Sequence, residues 1–456
     1  MKRSATAALA AAALAACVCA HAQAAAPRDR WVVQQLYGYN HPYAASAADE
    51  LAVKMEKMAQ SPYVFYRGTA HLFFQDMRTV PVSRYANRET GYTWISGDMH
   101  LGNFDASRDA GGVAVFKLAD HDEAYLGQYI WDLRRLTASM VLVARANGLG
   151  DAAATAAIDA TVDAYAAQMA EFKRGDAESG FKLTQQNTSG TVQKTIEKAD
   201  KKSPAHVLDK FTAIGADGRR AFLTQADLVE VPKRTRQSFM PAMNAYVNSI
   251  GRGERQDRRY YALKDVRQKL GSGVGSLGKL RYYVLIEGRT RSNDDDLVLE
   301  WKQEGDSAVA IAAPGRLPAW SYLGHEGNRV VKSAQAQRIA PDPLIGYSTL
   351  QGRPYYVHEK TPFQEDLDPS ALNSADKLGT AAVYAAQALA SAHALGDRGW
   401  SHAGKGYDID RRISDAIVSV DGLKAELREF SFDYAAQVEF DWTSFVTAYE
   451  AGVPLY

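Results

Sequence analysis

The spacing of apolar and polar positions changes along the chain, and the elements it predicts come in an irregular order. An alanine-rich stretch at residues 151–170 is typical of a helix, whereas residues 172–236 are polar and predict an elaboration over the surface. From residue 238, the pattern predicts a helix and then two strands, KLRYYVLIEG and LVLEWKQE. A second alanine-rich helix is predicted at 375–395. Because strands and helices do not alternate regularly, the pattern predicts an α+β fold and argues against a doubly wound sheet.

The first residues have the pattern of a secretory signal. Lys2 and Arg3 precede an alanine and leucine run that is too short to cross a bilayer, and small residues follow it. We predict a signal peptide over residues 1–24 and an exported, periplasmic protein. The stretch LAAC, which ends at Cys17, also resembles a lipoprotein processing box, so a lipid anchor at Cys17 is the alternative to ordinary cleavage.

Composition narrows the function classes. The 456 residues include 53 Lys and Arg against 53 Asp and Glu, so no net charge attracts nucleic acid or an anionic membrane. Both cysteines lie in the predicted signal, and ordinary cleavage would leave no cysteine nucleophile, disulfide or thiolate metal site. We expect no nucleic acid as a partner and no transmembrane helix.

The stretch WISGDMHLGNFDAS has the residue types of a phosphoryl-transfer site. Such a reaction needs a carboxylate near the acceptor hydroxyl and oxygen ligands for one or two divalent cations. Asp98 suits the first role, and Asn103 suits the second together with Asp120, which ends the predicted strand VAVFKLAD. The alternative is that Asp98 and Asn103 only cap a loop. His100 is expected to pack or to order the loop.

These motifs carry a family resemblance. SGDMHLGNF and the following LADHDEAYLGQYIWDLRRL resemble the catalytic loop, metal-binding aspartate and G-x-x-x-x-D-L segment of aminoglycoside and choline phosphotransferases, which are kinase-like enzymes. The resemblance implies matching positions for Asp98, Asn103, Asp120 and Asp132. Over nearly all of the chain after the signal, the sequence is similar to the bacterial domain-of-unknown-function family 2252, whose name supplies no reaction.

The nucleotide-binding half is expected after the catalytic loop. GSGVGSLG holds Gly273, Gly275 and Gly278 in G-x-G-x-x-G spacing. A predicted strand follows this motif, as in a kinase glycine-rich loop. In a dinucleotide-binding fold, a helix would follow the glycines instead. Lys302, at the end of LVLEWK, is placed like the strand lysine that contacts nucleotide phosphates, and its alternative is a solvated edge residue.

Two further residues are predicted to contact the cofactor. Glu359 ends the strand-like GRPYYVHEK, whose residues 356–359 are predicted to form an adenine-contacting hinge. Arg67 in FYRGTA is a candidate phosphate ligand, and its alternative is an ion pair with a nearby carboxylate. The stretch RVVKSAQAQR lacks the glutamate that a kinase-like helix uses to pair with the strand lysine, and offers only Gln335 or Gln337.

The order of these motifs predicts an α+β, kinase-like two-lobed fold that is circularly permuted. The catalytic-loop part of the large lobe would span residues 25–170, followed by a polar helical elaboration at 171–237. The small lobe with the glycine-rich loop would span 238–365, and the helical remainder of the large lobe 366–456. The expected cofactor is Mg²⁺ or Mn²⁺ with a nucleotide such as ATP.

Three functions fit the motifs. The first is a metal-dependent phosphoryl or nucleotidyl transferase acting on an unknown small-molecule or protein acceptor. The second is a catalytically silent module that binds a nucleotide or another ligand. The third is a metal-dependent hydrolase whose clustered ligands would be Asp98, His100, Asp120, His121 and Asp122. The spacing favours the first two.

Overall fold

The computed structural model describes residues 26–398 and 407–456. The predicted signal peptide and Cys17 lie outside these residues. In the described part of the chain, no helix is long and apolar enough to cross a membrane.

Thirteen helices are described within these ranges, and α1 is kinked at Ala47, where φ is −153° and ψ is 40°. They are α1 (Arg28–Ala59), α2 (Pro62–Gly68), α3 (Ala70–Asp76), α4 (Tyr129–Ala146), α5 (Asp151–Phe172), α6 (Gly190–Asp200), α7 (His206–Phe211), α8 (Lys233–Ser249), α9 (Val309–Ala312), α10 (Glu326–Gln337), α11 (Ala375–Leu395), α12 (Ile409–Ala416) and α13 (Val420–Glu450).

Most of the strands in the described residues belong to two antiparallel sheets. The strands are β1 (Thr93–Ile95), β2 (Phe104–Arg108), β3 (Ala114–Leu118), β4 (Tyr125–Gly127), β5 (Thr212–Ile214), β6 (Arg220–Phe222), β7 (Leu228–Glu230), β8 (Leu263–Lys269), β9 (Arg281–Ile286), β10 (Leu297–Gln303), β11 (Gly346–Leu350), β12 (Arg353–Glu359) and β13 (Glu365–Asp366). The larger sheet has the order β11-β12-β10-β9-β8-β7, and the smaller one has the order β13-β2-β3.

The apolar residues form two main cores that correspond to two bodies. In the helical body, α5 packs on α11, while α13 packs on α4 and on α1. The buried side chains of α4 surround its axis almost completely, as expected for a helix at the centre of a core. In the second body, aromatic side chains of the six-stranded sheet pack against α8, with Trp301 fully buried against Phe239 and Tyr246.

The mixture of helices and sheets confirms the α+β prediction. The segment predicted as a polar helical elaboration, 171–237, contains three short strands besides its helices. One of them, β7, pairs with β8, so the six-stranded sheet begins at Leu228, before the expected boundary at 238. A three-residue strand has too few alternating positions to be read from the sequence.

Candidate functional site

A cleft of about 380 Å³ lies between the six-stranded sheet and the loop that joins β1 to β2. Its volume is in the range of small-molecule sites. The cleft is lined by seven of the nine residues assigned to catalysis, metal or cofactor: Arg67, Asp98, Asn103, Asp120, Gly273, Gly275 and Lys302. The structure thus brings together residues that are widely separated along the chain.

Asp98 is held by a buried arginine. Arg135, fully buried in α4, donates from Nε and Nη2 to Oδ1 of Asp98 at 2.9 and 2.5 Å. Burial alone would raise the pKa of Asp98, but the positive charge of Arg135 outweighs it and lowers the pKa to about 2. Asp98 is therefore a carboxylate at any physiological pH. Its Oδ2 lies 3.7 Å from Nε2 of His100, which packs edge-on against Tyr63.

Asp132 braces the loop that carries Asp98. Its fully buried carboxylate accepts hydrogen bonds from the N–H groups of Ser96 and Gly97, at 2.7 and 3.0 Å. On the other side the same carboxylate lies 3.1 Å from Nε2 of His393 in α11. Gly97 has a φ of +77°, and a Cβ there would lie 2.5 Å from a backbone oxygen, so the turn requires glycine.

Asn103 and Asp120 lie side by side. The side-chain oxygen of Asn103 accepts a hydrogen bond from the Asp120 N–H at 3.1 Å, and its amide nitrogen donates to the Asp98 carbonyl at 3.0 Å. Oδ1 of Asp120 accepts the N–H groups of His121 and Asp122. Among the described residues, no donor is bonded to Oδ2 of Asp120, and 42% of this side chain is exposed.

Lys302 joins Asp120 to Asp122. Its Nζ donates to Oδ1 of Asp120 at 2.9 Å and to Oδ1 of Asp122 at 2.6 Å. Burial raises the pKa of Asp120, but the Lys302 ammonium outweighs it and the net pKa is lowered. Burial and the charge of Asp120 together raise the pKa of Asp122. Since β10 is an interior strand and Lys302 is buried, the alternative of a solvated edge lysine is wrong.

Neither Gln335 nor Gln337, the candidate partners in the place of a kinase glutamate, pairs with Lys302. Gln335 is exposed on α10, and Gln337 hydrogen-bonds to the ring of His121 and to the backbone oxygen of Trp94. Two carboxylates bind an ammonium more strongly than a neutral amide does, so the aspartates take this role.

The glycine-rich loop joins the antiparallel neighbours β8 and β9. Within the described residues, the backbone N–H groups of residues 272–276 have no hydrogen-bond acceptor, and all five residues line the cleft. Gly275 lies close to the loop that joins β1 to β2, because a Cβ on it would be 3.8 Å from Oδ2 of Asp98; the same Cβ would be 3.2 Å from the Arg67 carbonyl. Consecutive free N–H groups are the usual backbone ligands of an anion.

Arg67 makes no ion pair with any described residue, so the alternative of a structural ion pair is wrong. Its guanidinium carbon lies 5.9 Å from the ring centre of Tyr63, and Nε is buried without an acceptor. Arg67 is half-buried and lines the cleft beside the loop that joins β1 to β2. Its guanidinium, which has no protein acceptor at Nε, is therefore available to an anionic ligand in the cleft.

Gly278 and Glu359 do not line the cleft. Gly278, with a φ of +99°, packs on α1, since a Cβ would lie 2.5 Å from a methyl group of Leu51. Glu359 lines a separate cavity of about 350 Å³ beside Asp342. Side chains alternate along β12, so its neighbour His358 lines the cleft while Glu359 points elsewhere. Burial and the charge of Asp342 raise the pKa of Glu359 to about 8.

The sheet side of the cleft carries charged groups. Arg281 donates to Glu300 at 2.8 Å, and the other oxygen of Glu300 lies 3.2 Å from Nε2 of His358. Arg281 also donates to Ser276 Oγ of the glycine-rich loop at 3.2 Å. The cleft is therefore suited to a polar, charged ligand.

The predicted hydrolase cluster does not form. His121 is buried and its Nδ1 lies 3.0 Å from Gln337, away from the other four residues of that prediction. Within residues 26–398 and 407–456, no group of three or more histidine, cysteine or acidic residues is placed to hold a metal ion.

Comparison with known families agrees with the predicted membership. A family model described as an uncharacterized protein conserved in bacteria (DUF2252) matches residues 47–448. The chain belongs to this family. No curated protein and no solved structure matches the chain.

In this DUF2252 protein, sequence reasoning missed the groups that support the cleft. Arg135 lies within the helical text DLRRL and has no motif of its own. Arg281 and Glu300 sit on strands predicted correctly, but the face that each occupies depends on the pairing of β9 with β10. A period-2 reading of β10 alone would have placed Glu300 on the same face as Lys302.

Proposed function

We propose that this DUF2252 protein is a metal-dependent phosphoryl or nucleotidyl transferase, built as a circularly permuted kinase-like fold. The observation that carries the proposal is the glycine-rich loop: five consecutive residues whose N–H groups have no acceptor among the described residues line the same cleft as Asp98, Asn103, Asp120 and Lys302. Phosphoryl transfer needs anion ligands, oxygen ligands for a cation and a carboxylate at the acceptor. The acceptor is an unidentified small molecule or protein.

The junction between α11 and β1 supports the permutation. Gly396, just after α11, accepts a hydrogen bond from the N–H of Trp94 at 3.1 Å, and Thr93 Oγ1 donates to the carbonyl of His393 at 2.8 Å. The end of α11 therefore adjoins the strand that leads into the catalytic loop. Its residues 381–395, AAVYAAQALASAHAL, resemble the helix that directly precedes the catalytic loop in phosphotransferases, so in a chain without permutation this helix would precede the loop in sequence.

The donor set fits a hard divalent cation. Oδ2 of Asp120 has no hydrogen-bond donor among the described residues, and Asn103 Oδ1 accepts only one hydrogen bond. Mg²⁺ is usually held by one or two protein oxygens together with phosphates and waters, so two ligands suffice. When bound, the ion neutralises charge on the phosphates. Lys302 and Arg67 are the protein cations that would hold phosphate oxygens.

Asp98 orients the acceptor in this proposal. A carboxylate with a pKa near 2 is a weak base, so Asp98 accepts a hydrogen bond from the acceptor hydroxyl rather than removing its proton early. Arg135 occupies only Oδ1, which leaves Oδ2 for this bond.

A silent binding module is the second candidate. The strong pairing of Asp98 with Arg135 favours it, because the same contact that fixes the carboxylate also reduces its basicity. Binding of a nucleotide without turnover would support this candidate over the transferase.

The test begins with ligand binding. Thermal unfolding of the protein is measured against a nucleotide panel with Mg²⁺ or Mn²⁺, where a ligand at 100 times its Kd stabilises by about 2.7 kcal/mol. Transfer to a panel of hydroxylated acceptors is then assayed for wild type and Asp98→Asn. The matched control is Asp421→Asn, which removes the same charge at a side chain that is 96% exposed.

We expect Asp98→Asn to retain nucleotide binding and to lose about 10²–10⁴-fold in turnover, while Asp421→Asn keeps both. Binding without any transfer or hydrolysis that depends on Asp98 would replace the transferase with the binding module. Absence of metal-dependent nucleotide binding by wild type would overturn both.

A further inference from the structure

Side chains on one face of α1 form hydrogen bonds with backbone groups of the glycine-rich loop. The carboxylate of Glu50 accepts the N–H of Gly271 at 2.9 Å. Nζ of Lys57 donates to the carbonyl of Gly271 at 2.8 Å and to that of Gly273 at 3.4 Å, and Nζ of Lys54 donates to the carbonyl of Gly275 at 3.4 Å. The three side chains are spaced at i, i+4 and i+7, so they share one face of the helix.

The two lysines contact only carbonyl groups of the loop, whereas Glu50 accepts the N–H of Gly271 at the start of it. Three alternate carbonyls, at 271, 273 and 275, bind lysine, whereas the N–H groups of residues 272–276 bind no described residue. Because the carbonyl oxygens are occupied on the α1 side, their negative ends are not available to repel an anion in the cleft. The lysines therefore fix the loop in a conformation that leaves its N–H groups for a ligand.

Lys54 is placed where an ammonium is unfavourable. The residue is only 1% exposed, and no described carboxylate lies within ion-pair distance of it. Its Nζ bonds Asn40 Oδ1 at 3.0 Å besides the loop carbonyl. Burial, together with the charge of Lys279, lowers the pKa of Lys54 to about 7. An apolar side chain of similar size would avoid this desolvation cost, so what the lysine contributes is its contact with the loop.

We infer that Lys54 and Lys57 of α1 are positioning residues, which hold the glycine-rich loop so that its N–H groups bind a phosphate chain. The identity of the ligand as a phosphate chain rests on the proposed function. The contacts between the lysines and the loop are present in the free protein. Neither lysine touches the ligand; both act through the loop.

The experiment measures the loop and the ligand separately. Lys54→Met and Lys57→Met are compared with wild type and with Glu56→Gln, an exposed neighbour on the same helix. Hydrogen exchange of peptides covering residues 269–281 reports the loop in the free protein through its hydrogen-bonded N–H groups, such as those of Leu277 and Lys279, which bond the carbonyls of Val274 and Ser276. Calorimetry with inorganic pyrophosphate and Mg²⁺ reports anion binding, and urea unfolding reports stability.

Both lysine variants should exchange faster over 269–281 and bind pyrophosphate roughly tenfold more weakly, as expected for loss of a charge-assisted hydrogen bond. Lys54→Met should be more stable than wild type, a combination that a purely structural lysine would not give. Lys57→Arg, which keeps the charge and the donor, should restore binding.

Unchanged exchange over 269–281 in both variants would overturn the inference, whatever happens to binding. If pyrophosphate binding is also unchanged, the lysines have no role in the site. If binding is weaker, they act only through their charge. If wild type binds no pyrophosphate, the phosphate role and the proposed function fail together. Faster exchange in the variants would still establish that the lysines hold the loop.

Discussion

The pair formed by Asp98 and Arg135 predicts that a substitution of Asp98 strongly lowers the free energy of unfolding. Arg135 is fully buried, donates twice to Asp98, and lies with its guanidinium carbon 4.2 Å from the ring centre of Tyr66. Asp98→Ala would leave this guanidinium buried without a counter-charge. Removing one partner of a buried pair costs about 3–5 kcal/mol, a large part of the 5–15 kcal/mol that usually stabilises a protein.

A double-mutant cycle tests this value. Asp98→Ala, Arg135→Met and the double variant are unfolded in urea, and their free energies of unfolding are compared at equal m-values. Each single substitution should cost about 3–5 kcal/mol, whereas the double variant removes both charges and should be close to the less damaged single variant. Asp98→Asn keeps an oxygen acceptor and should cost about 1–3 kcal/mol.

The reasoning is refuted if Asp98→Ala costs less than about 1 kcal/mol, or if the two single effects simply add in the double variant. The cycle also decides how activity data are interpreted. A loss of turnover in Asp98→Ala would combine missing chemistry with partial unfolding, so Asp98→Asn is the variant to use for the proposed reaction.

Three further predictions concern the metal, the buried lysine and the loop. Asp120→Asn should weaken Mg²⁺-dependent nucleotide binding at least about tenfold more than Asp122→Asn, because 42% of the Asp120 side chain is exposed to the cleft against 10% of the Asp122 side chain; calorimetry giving the reverse order would transfer the ligand role to Asp122. Between pH 7 and pH 10 wild type should gain stability relative to Lys54→Met by up to about 1.4 kcal/mol per pH unit, since unfolded lysine keeps its proton while folded Lys54 releases it near pH 7; urea unfolding of both proteins across this range measures the difference, in which the opposite effect of Glu359, whose pKa is raised, cancels. Gly278→Ala should lower the free energy of unfolding by about 1–3 kcal/mol, because Gly278 has a φ of +99° and an added Cβ would contact a leucine side chain. Gly379→Ala, at a helical site with nothing within 4 Å, should raise it by about 0.5–1 kcal/mol in the same urea unfolding experiment.

The sequence was sufficient where the chemistry depends on local spacing. Asp98 and Asn103 are five residues apart in one loop, and Asp120 follows the strand that pairs back on β2, so their proximity follows from a single hairpin. The glycine-rich loop and Lys302 could be found in the same way, because each belongs to a short strand with a recognisable neighbour.

Other contacts depend on how distant segments pack, and no local pattern specifies them. The two glutamines of α10 were candidates for Lys302, but the rotation of that helix directs Gln337 to His121. Lys54 did carry a usable signal. It shares an apolar helical stripe with Leu51, Met55 and Met58, all buried, and a lysine in such a stripe indicates a special role.

The wide separation in sequence of the residues that form the cleft has a consequence for how the protein acquires its fold. Lys302 lies 182 residues from Asp120, and the loop carbonyl that Lys54 binds lies 221 residues away. Closing such long loops costs entropy before any contact compensates for it, so we expect slow folding with populated intermediates. Neither half of the chain contains a complete anion site. A nascent or proteolysed fragment should therefore not sequester nucleotide. Ligand binding should begin only when the six-stranded sheet has docked onto the helical body.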